Sequence, residues 1–258
     1  MVIPVHDDNP VRRTPVVTYA LIVVNLALFL VEPVHQYFMG SQTAVDVCRQ
    51  YAFFDKWAAI PKELLSGHPL AAHQYIVGTG ASQFPCAPDH FVHKSPVLSV
   101  LYAMFLHAGW LHVLGNMLFL YIFGNNIEDR FGRLRFLVFY VGAGYAATYG
   151  FSLMDSSSTE TLVGASGAIA GVLGAYLILY PRAKVLSLLP FLFFLPVRLP
   201  AWLVLGSWFI LQYVYAAGTG VGQGAGVAYV AHVVGFVLGM LVGYVVRVSS
   251  DGRTSPVT

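Results

Sequence analysis

Charged side chains are scarce in this chain of 258 residues. They make up 10% of it, and 57% of the residues are hydrophobic. An ordinary soluble domain has about 25% charged residues. The net charge is only +2, and the lysines and arginines are dispersed, which argues against a nucleic-acid-binding surface. The composition therefore predicts an integral membrane protein.

Cysteine is almost absent. Cys48 and Cys86 cannot form a disulfide framework, and their separation matches no zinc-binding spacing. Whether the two form a single disulfide in an extracytoplasmic loop is a question that the sequence leaves open. The chain also has no internal repeat and no low-complexity tract, so we expect one integral membrane domain with short tails.

The first apolar run lacks the signals of a cleaved secretory leader. Asp7 and Asp8 precede it, and no small-x-small site follows soon after Leu30. Arg12-Arg13 is better explained as the positive flank of an anchor than as a twin-arginine signal. We expect this run to remain as a signal anchor.

Six apolar runs are long enough to cross about 30 Å of hydrocarbon, which takes roughly 20 helical residues. They lie near residues 16–33, 98–123, 134–153, 162–180, 200–217 and 225–247. The segment 185–197 is apolar as well, but it is short, and Pro190 and Pro196 interrupt it. We expect that segment to form an interfacial or re-entrant connection.

The distribution of positive charge predicts the orientation. With the N-terminus inside, ten of the lysines and arginines are cytoplasmic and four lie in the long first outer loop. The predicted fold is an all-α polytopic membrane protein, a bundle of six transmembrane helices with both termini in the cytoplasm. It divides into a cytoplasmic tail (1–15), a first transmembrane helix (16–33), a long extracytoplasmic loop with short helices against the bilayer (34–96), a core holding helices two to six (97–248), and a cytoplasmic tail (249–258).

Polar side chains inside the second run need an explanation, because such residues are costly in a membrane and usually face the protein interior. They are His107, His112 and Asn116. His112 and Asn116 are four residues apart, hence on one helix face, and both can donate hydrogen bonds to a common point. An interhelical polar clamp is one alternative. A metal site is another, but the spans offer no carboxylate and no third histidine at helical spacing.

Ser166 in the fourth run and His232 in the sixth are each followed by glycines on one helix face. These glycines are Gly167, Gly171 and Gly174 in the fourth run and Gly235, Gly239 and Gly243 in the sixth. Small residues of this kind are typical of close helix contacts, and by itself Ser166 could be part of one. If the two strips pack together, Ser166 and His232 can come within hydrogen-bond reach, about 2.6–3.2 Å.

Such a pair would be a nucleophile with its general base. No intramembrane Asp or Glu is available to orient His232, so we expect a dyad whose base is oriented by packing and neutral hydrogen bonds. Candidate donors to the oxyanion are His112, Asn116 and the backbone N–H of Ser166 at the start of a helix. A transporter or channel is disfavoured, because such pathways usually carry intramembrane carboxylates or paired half-helices.

Together these residues resemble the rhomboid family of intramembrane serine proteases. His107, His112 and Asn116 match the His-x-x-x-x-His-x-x-x-Asn pattern. Gly164-Ala165-Ser166-Gly167 matches Gly-x-Ser-Gly, and Ala231-His232-Val233-Val234-Gly235 matches Ala-His-x-x-Gly. Glu128-Asp129-Arg130-Phe131-Gly132 is similar to the Glu-x-Arg-x-Gly turn. The resemblance covers about residues 95–248.

The resemblance implies that Ser166 is the nucleophile, His232 the base, His112 and Asn116 the oxyanion donors, and His107 a supporting hydrogen-bonding residue. It implies cleavage of membrane-anchored proteins in or near a transmembrane helix that unwinds easily, with small residues at the cut, without metal, nucleotide or other cofactor. The partners would be the lipid bilayer and single-span or other membrane-protein substrates, with no nucleic acid. A catalytically inactive relative that binds membrane helices is the alternative.

The first outer loop departs from the family pattern, since it is long and lacks the Trp-Arg pair of some bacterial members. The segment 197–202 before the fifth run looks bacterial. It suggests the inner membrane, with the site opening to the extracytoplasmic side. The resemblance also implies a lateral gate at the fifth span.

Overall fold

The computed structural model describes residues 2–34, 43–71, 75–77, 84–86, 93–218 and 228–251. Within these ranges the chain forms ten α-helices and five short strands. The helices are α1 (Val16–Phe29), α2 (Ala44–Trp57), α3 (Pro61–Ser66), α4 (Pro96–Ala103), α5 (Trp110–Phe119), α6 (Asn125–Phe131), α7 (Arg133–Met154), α8 (Ser166–Leu179), α9 (Ala201–Gly218) and α10 (Tyr229–Asp251). The strands are β1 (Ile3–Asp7), β2 (Tyr75–Val77), β3 (Phe84–Cys86), β4 (Lys184–Leu189) and β5 (Leu195–Pro200).

Three of the described helices are long and apolar enough to cross a membrane, namely α7, α9 and α10. The helices α1 and α8 are apolar but have only 14 residues each. The chain is therefore a mostly helical multi-pass membrane protein. The count of six spans and the orientation with both termini inside stay predictions.

The second apolar run does not form the single helix that the hydropathy suggests. The helix α4 ends at Ala103, α5 begins at Trp110, and a π-helical turn (Leu120–Gly124) joins α5 to α6. The backbone between α4 and α5 finds partners far along the chain. The N–H of Gly164 donates to the carbonyl of Ala103 (2.8 Å), and the N–H of His107 donates to Oε2 of Glu32 (3.1 Å). These hydrogen bonds replace those of a continuous helix.

The helix α8 is the centre of the bundle, with ten consecutive buried residues from Gly167 to Tyr176. It packs against α10 through their glycines. A Cβ added to Gly235 would overlap the carbonyl oxygen of Gly167, and one on Gly239 would overlap that of Gly171. Only glycine allows the two backbones to approach so closely. The predicted packing of the two glycine strips is thus what the structure shows.

A three-stranded sheet covers the end of α8 opposite to Ser166, so the expectation of an all-α chain is wrong in detail. The strand β1 pairs antiparallel with β4, and β4 pairs antiparallel with β5. Pro190 and Pro196 disfavour an α-helix through this region, and a 3₁₀ turn (Pro190–Leu192) lies between β4 and β5. Asp7 accepts hydrogen bonds from Tyr176 (2.6 Å) and Asn126 (2.9 Å), although burial raises the pKa of its carboxyl group.

Glu128 fixes the start of α1. Its carboxylate accepts the backbone N–H groups of Val17 (3.0 Å) and Thr18 (2.7 Å) and the hydroxyl of Thr18 (2.8 Å). These are N–H groups of the first turn of α1, which have no partner within the helix. Glu128, in the turn after the second run, therefore ties α6 to α1.

The segment predicted to form the long first outer loop is folded where it is described. It holds α2 and α3, as expected, and a hairpin of β2 and β3. Cys48 in α2 is disulfide-bonded to Cys86 in β3, which answers the question that the sequence left open. Nζ of Lys94 lies 2.6 Å from Oε2 of Glu63, and both side chains are buried. Burial lowers the pKa of Lys94, and the contact with Glu63 opposes that shift.

Candidate active site

Ser166 occupies the first position of α8, as expected. The preceding Gly164 has a φ of +118°, a conformation that disfavours any side chain. Its N–H donates to the carbonyl of Ala103, which fixes the turn against the end of α4. Because Ser166 is the first residue of the helix, its backbone N–H has no intrahelical acceptor. This N–H lies at the N-terminus of the helix, which is the positive end of the helix dipole.

His232 on α10 faces Ser166 directly. Its Nε2 lies 2.7 Å from Oγ of Ser166. Its Nδ1 lies 2.7 Å from Oε1 of Gln212, which is on α9. His232 and Gln212 are buried, and Ser166 is partly exposed. The imidazole is thus held between the hydroxyl of one helix and the amide of another.

His112 lies beside the same serine. A Cβ on Gly164 would be 2.7 Å from Cε1 and Nε2 of His112 and 3.6 Å from Oγ of Ser166. Nδ1 of His112 accepts the N–H of Ala108 (3.3 Å), so the single hydrogen of a neutral imidazole is on Nε2. His112 therefore presents a donor in the immediate surroundings of Ser166.

Asn116 follows His112 by one turn of α5, so both lie on one face of that helix. Its side-chain Nδ2 is buried and has no hydrogen-bond acceptor among the described residues. A buried amide donor without a partner costs free energy, commonly about 1–3 kcal/mol. Such a group is suited to bind an acceptor that arrives with a substrate.

His107 lies outside the helices, in the segment between α4 and α5. Its side chain is fully buried, and its ring packs edge-on against that of His112 with 5.1 Å between the centroids. Neither ring nitrogen has a hydrogen-bond partner among the described residues. His107 thus supports His112 by ring packing, whereas a hydrogen-bonding role is the expectation from the resemblance.

The remaining expected residues line the helix contact. Gly167 and Gly235 form the crossing of α8 and α10 next to Ser166 and His232, and Gly164 shapes the turn against His112. No group of three His, Cys, Asp or Glu side chains that could hold a metal occurs in the part of the chain that the structure describes.

Two residues of the site were not anticipated from the sequence. Gln212 contacts His232, and Trp208 lies one turn earlier on the same face of α9, with its ring centroid 5.9 Å from that of His232. A signal for Gln212 was present, because an amide in the middle of a long apolar run is as unusual as a histidine there. Glu32, the acceptor for the backbone of His107, was likewise not singled out.

The model of the family described as "Rhomboid domain" matches residues 94–249, which is more than half of the chain. The mitochondrial "Rhomboid protein 1" of Saccharomyces cerevisiae is 32% identical over 153 residues, 57% of this chain and 41% of that protein.

Two proteins of Arabidopsis thaliana are similar as well. "RHOMBOID-like protein 1" is 41% identical over 86 residues, 33% of this chain and 22% of that protein. "RHOMBOID-like protein 4" is 30% identical over 150 residues, 55% of this chain and 32% of that protein. The chain therefore spans less than half the length of each of these relatives.

Proposed function

The chain belongs to the rhomboid family, and from this premise and the geometry of its site we propose that it is an intramembrane serine endopeptidase. Its substrates are membrane-anchored proteins, cut in or near a transmembrane helix. The observation that carries the proposal is the 2.7 Å separation between Oγ of Ser166 and Nε2 of His232 inside the helix bundle. A serine hydroxyl is a weak nucleophile by itself, and a neutral imidazole at this distance can remove its proton during attack.

In the first half of the reaction, Oγ of Ser166 attacks the carbonyl carbon of the scissile peptide bond and passes its proton to Nε2 of His232. The carbonyl oxygen becomes an oxyanion. His112 Nε2–H, Asn116 Nδ2–H and the backbone N–H of Ser166 are the proposed donors to it. Loss of one such donor commonly lowers kcat by about 10²–10³-fold.

The tetrahedral intermediate collapses as the C–N bond breaks, and the imidazolium of His232 gives its proton to the leaving amine. The other product remains as an ester on Oγ of Ser166. A water molecule, deprotonated by His232, attacks that ester, and the released alkoxide of Ser166 recovers the proton. Because the site needs water, Ser166 must be reachable from the aqueous phase, which agrees with its partial exposure.

We place the protein in the inner membrane, with the site opening to the extracytoplasmic side. Two observations support this side. The loop that carries the Cys48–Cys86 disulfide contacts the segment just before α8, through the hydrogen bond from Leu162 N–H to the carbonyl of Ala59 (2.7 Å). Disulfides persist in oxidising compartments. Most of the lysines and arginines belong to segments predicted to lie on the opposite side.

The test is labelling of purified protein with a fluorophosphonate probe, beside cleavage of a generic single-span substrate in proteoliposomes. The wild type should be labelled and active. Ser166→Ala and His232→Ala should lose both properties while the protein still folds and inserts. Ser152→Ala is a matched control, since Ser152 is buried in α7 and its hydroxyl donates to the carbonyl of Thr148 (2.8 Å).

Undiminished cleavage by Ser166→Ala would refute the proposal. Retention of the substrate without cleavage by a well-folded wild type would instead identify an inactive rhomboid-like protein that binds membrane helices.

A further inference from the structure

We propose that Gln212 is the positioning residue of the base, selecting by its side-chain oxygen the tautomer of His232 that can accept the proton of Ser166. This inference rests on the proposed function and adds a third member, carried by a third helix, to the pair of Ser166 and His232. The juxtaposition is a linear one, from Ser166 on α8 through His232 on α10 to Gln212 on α9.

The tautomer follows from the atoms that meet. A neutral imidazole has one N–H, and the amide oxygen of Gln212 can only accept a hydrogen bond. The 2.7 Å contact between Oε1 of Gln212 and Nδ1 of His232 therefore places the hydrogen on Nδ1. The lone pair of Nε2 is then directed at Oγ of Ser166, also 2.7 Å away. In the other tautomer Nε2 carries a hydrogen and cannot take the proton of the serine.

The position of Gln212 is specific to this task. Its side chain is only 6% exposed in a helix that is otherwise largely apolar, and burial of an amide is unfavourable unless it is hydrogen-bonded. Trp208, four residues earlier, packs its ring near those of His232 and Phe236, each at 5.9 Å between centroids. One face of α9 thus holds the imidazole both by ring packing and by a directed hydrogen bond.

The same contact acts during the reaction. When His232 accepts the proton of Ser166, it becomes an imidazolium, and its hydrogen bond to the oxygen of Gln212 becomes charge-assisted and stronger. The amide needs no charge of its own in the membrane, where a carboxylate is costly. Gln212 therefore performs in a neutral form the orienting task of the acid in a Ser-His-Asp triad.

The placement on α9 has a regulatory consequence. Two further aromatic contacts hold α9 against α10, with 4.6 Å between the ring centroids of Phe209 and Phe236 and 5.0 Å between those of Tyr215 and Tyr229. Because Gln212 belongs to α9, a displacement of that helix away from α10 removes the acceptor from His232. The base is then correctly oriented only while α9 is packed against α10.

The test uses full-length protein in proteoliposomes with a cleavable single-span substrate and compares three variants. Gln212→Met keeps the approximate size of the side chain and removes the acceptor. Gln212→Glu keeps an oxygen at the same place. Ser207→Ala is the control on the same helix, because Ser207 is an exposed residue and its hydroxyl donates to the carbonyl of Val204 within α9. The readouts are kcat, KM, the pH dependence of kcat/KM and the melting temperature.

For Gln212→Met we expect kcat to fall about 10–100-fold, because the variant loses a buried hydrogen bond and the selection of the tautomer. KM should change less than about 2-fold. Gln212→Glu should retain more activity than Gln212→Met. The acidic limb of its kcat/KM profile should move to higher pH, because a carboxylate beside His232 favours the imidazolium form of that residue. A purely structural role of Gln212 predicts the reverse order, since Met fits an apolar bundle better than Glu does.

The inference is overturned if folded Gln212→Met has the kcat of the wild type, or if Gln212→Glu shows an unchanged acidic limb. If Gln212→Met does not fold, the acidic limb of Gln212→Glu is the deciding measurement. A wild type that neither cleaves nor is labelled by the fluorophosphonate probe would overturn the proposed function together with this inference. An active wild type with an insensitive Gln212 would overturn this inference alone.

Discussion

The crossing of α8 and α10 gives a sharp test of how closely catalysis depends on helix packing. In Gly235→Ala the new Cβ would overlap the carbonyl oxygen of Gly167 and lie 3.2 Å from its carbonyl carbon. Optimal separations between carbon atoms are about 3.5–4.0 Å, and the overlap with the oxygen is more severe than that with the carbon, so the two backbones must move apart by on the order of 1 Å. The hydrogen bond between Ser166 and His232 starts at 2.7 Å and tolerates an increase of only about 0.5 Å.

The expected stability effect is small, because two contributions oppose each other. Overpacking costs about 1–3 kcal/mol, whereas replacement of a helical glycine by alanine returns up to about 1 kcal/mol. Activity has no such compensation. A displacement of 1 Å in a catalytic pair can cost about 100-fold in rate, so we expect Gly235→Ala to lose about 100-fold in kcat/KM and to melt only a few degrees below the wild type.

The assay is cleavage of a single-span substrate in proteoliposomes, with thermal unfolding in detergent as the measure of stability. Gly142→Ala in α7 is the matched control, because a Cβ there meets no atom within 4 Å. It should keep full activity and gain up to about 1 kcal/mol. Cleavage by Gly235→Ala within about 3-fold of the wild type would refute the link between this crossing and the Ser166–His232 geometry.

Three further predictions test other parts of the structure. Lys94→Met leaves the buried carboxylate of Glu63 without its cation and should cost about 3–5 kcal/mol, measured by thermal unfolding, whereas the double variant with Glu63→Gln should recover most of the loss. Glu128→Gln weakens the acceptor of the two N–H groups at the start of α1 and should cost about 1–2 kcal/mol, more than Asp129→Asn, whose carboxylate accepts one exposed N–H; equal melting temperatures would contradict this. Asn116→Ala should lower kcat about 10²–10³-fold with little change in KM, and an unchanged kcat would exclude Asn116 as an oxyanion donor.

The sequence predicted the contact of Ser166 with His232 and the shared face of His112 and Asn116, because the signals for both are local and periodic. Ser166 and His232 are each followed by a strip of glycines on one helix face, and two such strips allow the two helix backbones to pack at short distance. His112 and Asn116 were placed on one face by their spacing alone, and both do lie on α5.

Features that depend on distant partners were not predictable in this way. Hydropathy is continuous across residues 104–109, yet the helix breaks there, because the backbone of His107 pairs with Glu32, 75 residues earlier. The strand β1 forms only because β4 offers an edge far along the chain. Gln212 was not predicted for another reason, since no histidine accompanies it at helical spacing, whereas Asn116 follows His112 by one turn.

The short helix α1 has a consequence for the surrounding lipid. Its 14 residues rise about 21 Å, which falls well short of the roughly 30 Å hydrocarbon thickness of a bilayer, and Val23 and Val31 on or near it are largely exposed. If α1 is the predicted first transmembrane helix, this hydrophobic mismatch favours a locally thinned bilayer. Because Phe29 packs against Trp110 at the start of α5, with 5.0 Å between ring centroids, the thinned zone adjoins the helix that carries His112. Under the proposed function, a substrate helix that enters this zone would lose hydrocarbon around its end, and water would then compete for its backbone hydrogen bonds before any contact with Ser166.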